Sequence, residues 1–207
     1  MAIATEPHVT NIALPPPADP APLGLAGFAL TTFLLSADNA GWTHGTSAWL
    51  GFAFAYGGLA QLLAGMWEFR NRNVFGATAF STYGAFWIGL GLYVELVAPT
   101  AKSATQVSND LGWILLAFLI FNSYMLLASL FVNVAVFGVF LTLEATELIL
   151  VIGQFSNSSN TIKFGGIVGV ITAAVAWYTS SAGVVNGTTG RAMLPVGSPL
   201  IASALPA

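Results

Sequence analysis

The chain has 207 residues, of which 56 % are hydrophobic and only 6 % charged, and its mean hydropathy is +0.80. Soluble domains carry about 25 % charged side chains, so this composition excludes one. A net charge of −3 with five basic residues excludes a basic nucleic-acid footprint, and the lack of cysteine excludes disulfides and thiol chemistry. The composition leaves an all-α polytopic membrane protein.

In chain order, residues 1–20 read as a flexible N-terminal tail without the basic n-region of a signal peptide. Pro22 suits the first turn of a helix, where its missing N–H costs nothing. The first span is predicted over 21–37 and ends on the turn formers Asp38-Asn39-Ala40-Gly41. The second covers 47–68 and the third 75–97, with the tight turn Phe69-Arg70-Asn71-Arg72-Asn73 between them. After a polar loop at 98–109, Asp110 is placed to cap a fourth span over 111–131. Asn133 marks a sharp reversal into the fifth span, 134–153. Residues 154–163 read as a plain loop, 165–186 as the sixth span, and 188–207 as a Gly/Pro-rich C-terminal tail, leaving 21–187 as the transmembrane domain. Each run is near the roughly 20 residues that cross a hydrocarbon core of about 30 Å. Arg70, Arg72 and Arg191 lie on one side against Lys102 and Lys163 on the other, which favours both termini in the cytoplasm.

Small and polar residues inside these runs point to helices packed around something hydrophilic. Gly57, Gln61 and Gly65 form an i, i+4, i+8 stripe prolonged by Glu68, and Gly165, Gly169 and Ala173 repeat that spacing in the sixth span. Gly84 is a further packing position. Such stripes let membrane helices approach closely, but the amide of Gln61 needs polar partners in hydrocarbon. Tyr83 and Tyr124 lie deep in their spans and, with Thr31, Thr82, Asn122 and Ser129, offer hydroxyls and amides for a narrow pore. Trp42, Trp49 and Trp67 read as interfacial anchors.

Glu144 sits mid-span with Glu147 a turn beyond it. A carboxylate there costs about 2.5–3.5 kcal/mol on insertion scales, which disfavours a lipid-facing position. Low dielectric favours the neutral acid, so Glu144 is the first candidate proton-binding group and Glu147 the second. Glu68 and Glu95 lie near helix ends, where headgroup-level exposure is cheap, and Glu68 is also within reach of Arg70 or Arg72. No span has a basic residue in its interior. A permeating anion must therefore be small and weakly charged, such as a monocarboxylate with a pKa near 5. No hydrolase triad, phosphate loop, metal cluster or cofactor motif appears, and His8 and His44 fall in a tail and a loop. These features do not indicate an enzyme.

The stretches Pro20-Ala21-Pro22-Leu23-Gly24-Leu25, Gly57-Gly58-Leu59-Ala60-Gln61 through Ala64-Gly65-Met66-Trp67-Glu68, Phe75-Gly76-Ala77-Thr78-Ala79-Phe80 and Tyr83-Gly84-Ala85-Phe86-Trp87 resemble the acetate uptake transporter family. That family includes bacterial succinate–acetate permeases and fungal ammonia/acetate export proteins, and the resemblance covers residues 19–195. It implies six transmembrane helices around a pathway within each protomer, a homo-hexamer, and a place in the plasma (inner) membrane. It also implies passage of acetate and related short carboxylates, succinate among the candidates, by proton-coupled uptake or channel-like flow. The family signature has asparagine where this chain has Asp19. Its pore constriction maps to Phe28, Leu25 or Leu35, and Tyr83, giving a substrate pathway of Leu25, Phe28, Thr31, Leu35, Gln61, Tyr83 and Tyr124. A channel for ammonia or another neutral solute, and a non-transporting scaffold or sensor, remain alternatives.

Overall fold

The computed structural model describes residues 17–43, 45 and 48–202. Most of the predicted N-terminal tail, together with His8 and His44, lies outside the described residues. Among the described residues six helices are long and apolar enough to cross a membrane: α1 (Ala21–Asn39), α2 (Leu50–Arg70), α3 (Val74–Thr100), α4 (Ala104–Ser129), α5 (Val134–Phe155) and α6 (Ser159–Thr189).

Polar caps set several starts. Asn73, Ser103, Asn133 and Ser158 each accept a backbone N–H from the first turn of the following helix through their side chains. Two of these caps correct the predicted boundaries. The fourth helix starts after Ser103 and not at Asp110, which lies inside α4 and accepts the Tyr93 hydroxyl at 3.1 Å. The stretch 154–163 is not a plain loop, because α5 runs to Phe155 and α6 begins at Ser159.

The helices close into a ring in the order α3, α2, α1, α6, α5, α4. The α3–α4 seam is the loosest, and a groove of about 430 Å³ opens there beside Ser81, Thr82 and Phe118. Close approach in the rest of the ring depends on small residues. Gly57 of α2 packs on the side chain of Thr31, and Gly165 packs against Leu150 and Ile149 of α5. A β-carbon at Gly84 would lie 2.6 Å from the backbone nitrogen of Leu62, and one at Gly166 would lie 2.5 Å from that of Ala40. Gly169 sits against the hydroxyl of Ser36. Within α2 the backbone widens to a π turn over Ala55–Ala60, which brings the Tyr56 carbonyl against Gly27 of α1.

The C-terminal segment is ordered against the bundle. After Gly190, whose φ of 64° ends α6, residues 191–202 fold back over the α4–α5 turn. Ala135 donates to the Val196 carbonyl at 2.9 Å, Leu200 and Ile201 donate to Leu130, and Tyr178 donates to Pro195 at 2.6 Å. Asn186 holds both polar groups of Leu194, at 2.8 and 2.9 Å. Each such bond contributes about 1 kcal/mol net. Asn186→Ala is therefore expected to loosen this strap and speed tryptic cleavage after Arg191 severalfold, with little change in membrane yield. An unchanged cleavage rate would show that the strap is held elsewhere.

Candidate functional site: an interrupted axial passage

α1, α3 and α5 run parallel and together line a row of three cavities. The widest, about 280 Å³, lies at their C-terminal ends and is bordered by Leu35, Asp38, Asn39, Trp49, Leu90 and Gln154. A second, about 50 Å³, shares Leu35 and Asn39 with it and adds Thr32, Ser36, Thr146 and Glu147. The third, about 20 Å³, is enclosed by Leu25, Gln61, Phe80 and Phe140. Phe28, Tyr83 and Leu143 line both the second and the third. They form the waist of the row, one side chain from each parallel helix.

The waist is stiff. Tyr83 is 3 % exposed and its ring meets Phe28 edge-on at 5.7 Å, with Phe86, Phe118 and Phe121 around it. Such aromatic contacts hold ring geometry beyond simple burial. The Tyr83 hydroxyl lies 3.1 Å from the amide oxygen of Asn122 and 3.4 Å from Glu147 Oε1. Asn122, fully buried, donates through Nδ2 to the Phe140 carbonyl at 3.1 Å and to Glu144 Oε2 at 2.6 Å. Ser123 supplies a further donor to Glu144 Oε1 at 2.8 Å. The other oxygen of Glu147 has no partner and belongs to a carboxyl that lines the second cavity.

Leu25, Phe28, Leu35, Gln61 and Tyr83 all border the row of cavities. Thr31 does not: its hydroxyl bonds to the Gly27 carbonyl at 3.0 Å and its side chain faces Gly57, while the cavity receives its neighbour Thr32. Tyr124 also does not, being 53 % exposed on the outer face of α4. Thr82 faces the α3–α4 groove, and Ser129 bonds back to Leu126. Of the two acids, Glu144 is half-buried between α4 and α5, and Glu147 is the one whose carboxyl lines the second cavity.

Glu68 is 0 % exposed and packed on Gly76 with no hydrogen-bond partner for either oxygen, so it is not exposed near its helix end and does not pair with an arginine. Trp49 is also buried, with Trp87 and Leu90, whereas Trp42 and Trp67 are exposed. Asp19 is exposed and accepts the Ala21 backbone N–H at 2.9 Å, capping α1.

Leu143, Thr32, Ser36 and Thr146 were not predicted. A leucine in a leucine-rich helix carries no distinguishing signal, and the three hydroxyls are shared by many membrane helices.

The family model described as the GPR1/FUN34/yaaH family matches residues 3–198. The chain is 40 % identical to Acetate permease A of Emericella nidulans, across 86 % of this chain and 65 % of that protein. It is 35 % identical to the succinate-acetate/proton symporter SatP of Escherichia coli, across 87 % of this chain and 95 % of that one. The solved structure of the bacterial acetate channel SatP superposes with a TM-score of 0.81 at 35 % identity, covering 87 % of this chain and 99 % of that one. The chain spans 65 % of the length of the fungal permease and 61 % of two yeast relatives. It has the fold of the SatP channel, six membrane-spanning helices, and it belongs to the GPR1/FUN34/yaaH family.

Proposed function

We propose that this protein carries acetate and related short monocarboxylates across a membrane, along the axis of the ring and through the waist of Phe28, Tyr83 and Leu143. One observation carries the reading. The cavities line up inside a single protomer, with hydroxyls and amides in their walls and no fixed positive charge. A wall of this kind suits a small solute of weak charge and offers nothing to hold a large dianion. The names of relatives at 35–40 % identity supply the substrate class, acetate in both and succinate in one. They also indicate transport and not catalysis.

Leu25, Leu35 and Gln61 complete the proposed pathway together with Thr32 and Ser36. Glu144 and Glu147 are its proton-binding candidates, with Glu147 placed first because it borders the cavity. Gly57, Gly65, Gly84, Gly165 and Gly169 hold the helices close enough to shape the pathway. The further reading is a homo-hexamer in the plasma membrane with both termini cytoplasmic. The apolar outer face of α4, where Trp113, Ile120 and Leu127 are exposed, supports a surface buried by lipid or by a second protomer. In that orientation the wide cavity faces outward, because both ends of the transmembrane domain lie on the side of the small cavity.

The test is radiolabelled acetate uptake into proteoliposomes against protein-free liposomes, because acetic acid itself crosses lipid. Protein-dependent uptake competed by unlabelled acetate is the expected result. Accumulation driven by an inward proton gradient and abolished by a protonophore marks coupling, and simple equilibration marks a channel. Uptake equal to the protein-free rate would overturn the proposal.

A further inference from the structure

The polarity of the hydrogen bonds around Tyr83 determines where one proton must sit. The amide of Asn122 has one workable orientation. Its NH₂ group meets two acceptors, the Phe140 carbonyl and Glu144 Oε2, and reversing it would set its oxygen against both. The Asn122 oxygen therefore faces the Tyr83 hydroxyl at 3.1 Å and requires a donor. A phenol has one hydrogen. Once Tyr83 gives it to Asn122, only an oxygen lone pair remains to face Glu147 Oε1 at 3.4 Å. A carboxylate there would meet a lone pair on one side and, on its other oxygen, no partner at all. A neutral carboxyl has the hydrogen that this geometry lacks.

We propose that Glu147 is a neutral acid that donates to Tyr83, and that losing this proton turns the Tyr83 hydroxyl from Asn122 to Glu147 and so resets the waist. Asn122 is thereby a positioning residue, acting on the passage through Tyr83. The inference rests on the waist reading above. It adds a proton-linked switch, with the proton leaving Glu147 for the cavity that its carboxyl lines.

The surroundings agree on charge. From α5 itself Glu147 faces Glu144, from α3 Tyr83, from α1 the hydroxyls of Thr32 and Ser36, and from α4 the network through Asn122. From α6 the hydroxyl of Thr172 bonds to that of Thr146, the neighbour of Glu147. No lysine, arginine or histidine of the described residues lies mid-span to balance two negative charges. Glu144 is half-buried and is met by the Asn122 amide at 2.6 Å and by the Ser123 hydroxyl at 2.8 Å, whose one hydrogen is also in reach of the Leu119 carbonyl at 2.9 Å.

The test is infrared spectroscopy of the reconstituted protein at neutral pH, comparing wild type with Glu147→Gln and Glu144→Gln. Taking differences from wild type cancels any contribution from Glu68. The carbonyl stretch of one neutral carboxylic acid is expected to vanish in Glu147→Gln and persist in Glu144→Gln. In Tyr83→Phe, which also serves if Glu147→Gln fails to assemble, the band should stay but move in frequency, because the acid loses its acceptor. Acetate uptake by Glu147→Gln should then lose the pH dependence seen in wild type beyond the protein-free background.

A band that survives Glu147→Gln, disappears in Glu144→Gln, or ignores Tyr83→Phe overturns the proton assignment. Loss of the band with an unaltered uptake profile overturns the switch. A wild-type protein that moves no acetate but shows the expected bands sinks the transport reading and supports the assignment, since the infrared readout involves no acetate.

Discussion

Leu143→Ala is expected to widen the waist and let longer carboxylates through, raising flux of a four-carbon acid relative to acetate by about tenfold. In apolar pockets a missing or extra methylene changes discrimination by about 10-fold or more, and this substitution removes three carbons from the narrowest ring. Leu143 is buried, and it is the one aliphatic member of the ring, with Phe28 and Tyr83 opposite it. The aromatic members pack against each other, so trimming either loosens its neighbours as well. Relative uptake of acetate and succinate by wild type and Leu143→Ala checks the point. An unchanged ratio with normal assembly would move the selectivity ring elsewhere.

The second large effect is on packing. Gly65→Leu is expected to abolish assembly of the bundle and not merely alter selectivity. A β-carbon at Gly65 would already lie 2.5 Å from the backbone nitrogen of Ser81 in α3, and Gly84 of α3 is pressed equally closely on Leu62 of α2. Backbone cannot rotate aside as a flexible side chain can. Overpacking typically costs about 1–3 kcal/mol, and a leucine placed against rigid backbone on both sides of a reciprocal contact lies at or beyond the upper end of that range. Yield of detergent-stable protein is the readout. Wild-type yield and full acetate uptake would show that α2 and α3 separate more easily than these contacts imply.

The six spans were legible because membrane insertion depends on a bulk property, apolar length, that sums over about 20 residues. Their ends were less so, since helices continue into water on polar residues that hydropathy discounts. A signal for the true start of α4 was nonetheless present. Ser103 and Gln106 have the spacing of a capping box: Ser103 accepts the Gln106 N–H at 3.2 Å, and Gln106 reaches back to the Lys102 N–H at 3.1 Å.

Interior faces were the harder problem. A helix apolar on all sides carries little periodicity to mark which side meets the passage. Thr31 misses the cavity by one residue of rotation, with Thr32 lining it instead. Of the two acids on α5, only Glu147 lines the cavity, and the argument from cost could not tell them apart. Tyr83 and Gln61 stood out because a hydroxyl or amide deep in a span demands neighbours, Phe28 was named only through the family resemblance, and Leu143 demands no partner. The π turn over Ala55–Ala60 rotates the face of α2 and leaves no mark in hydropathy.

The absence of cysteine from all 207 residues allows the most direct test of where solute passes. Single substitutions Leu143→Cys, at the waist, and Tyr124→Cys, on the outer face, can each be treated with a small membrane-impermeant thiol reagent during acetate uptake. An axial passage predicts that the reagent stops uptake by Leu143→Cys, that excess acetate slows this block, and that uptake by Tyr124→Cys, whose side chain leaves the outer face of α4, is unaffected by the reagent. Block at Tyr124 with Leu143→Cys unaffected would place the route outside the ring and contradict the account.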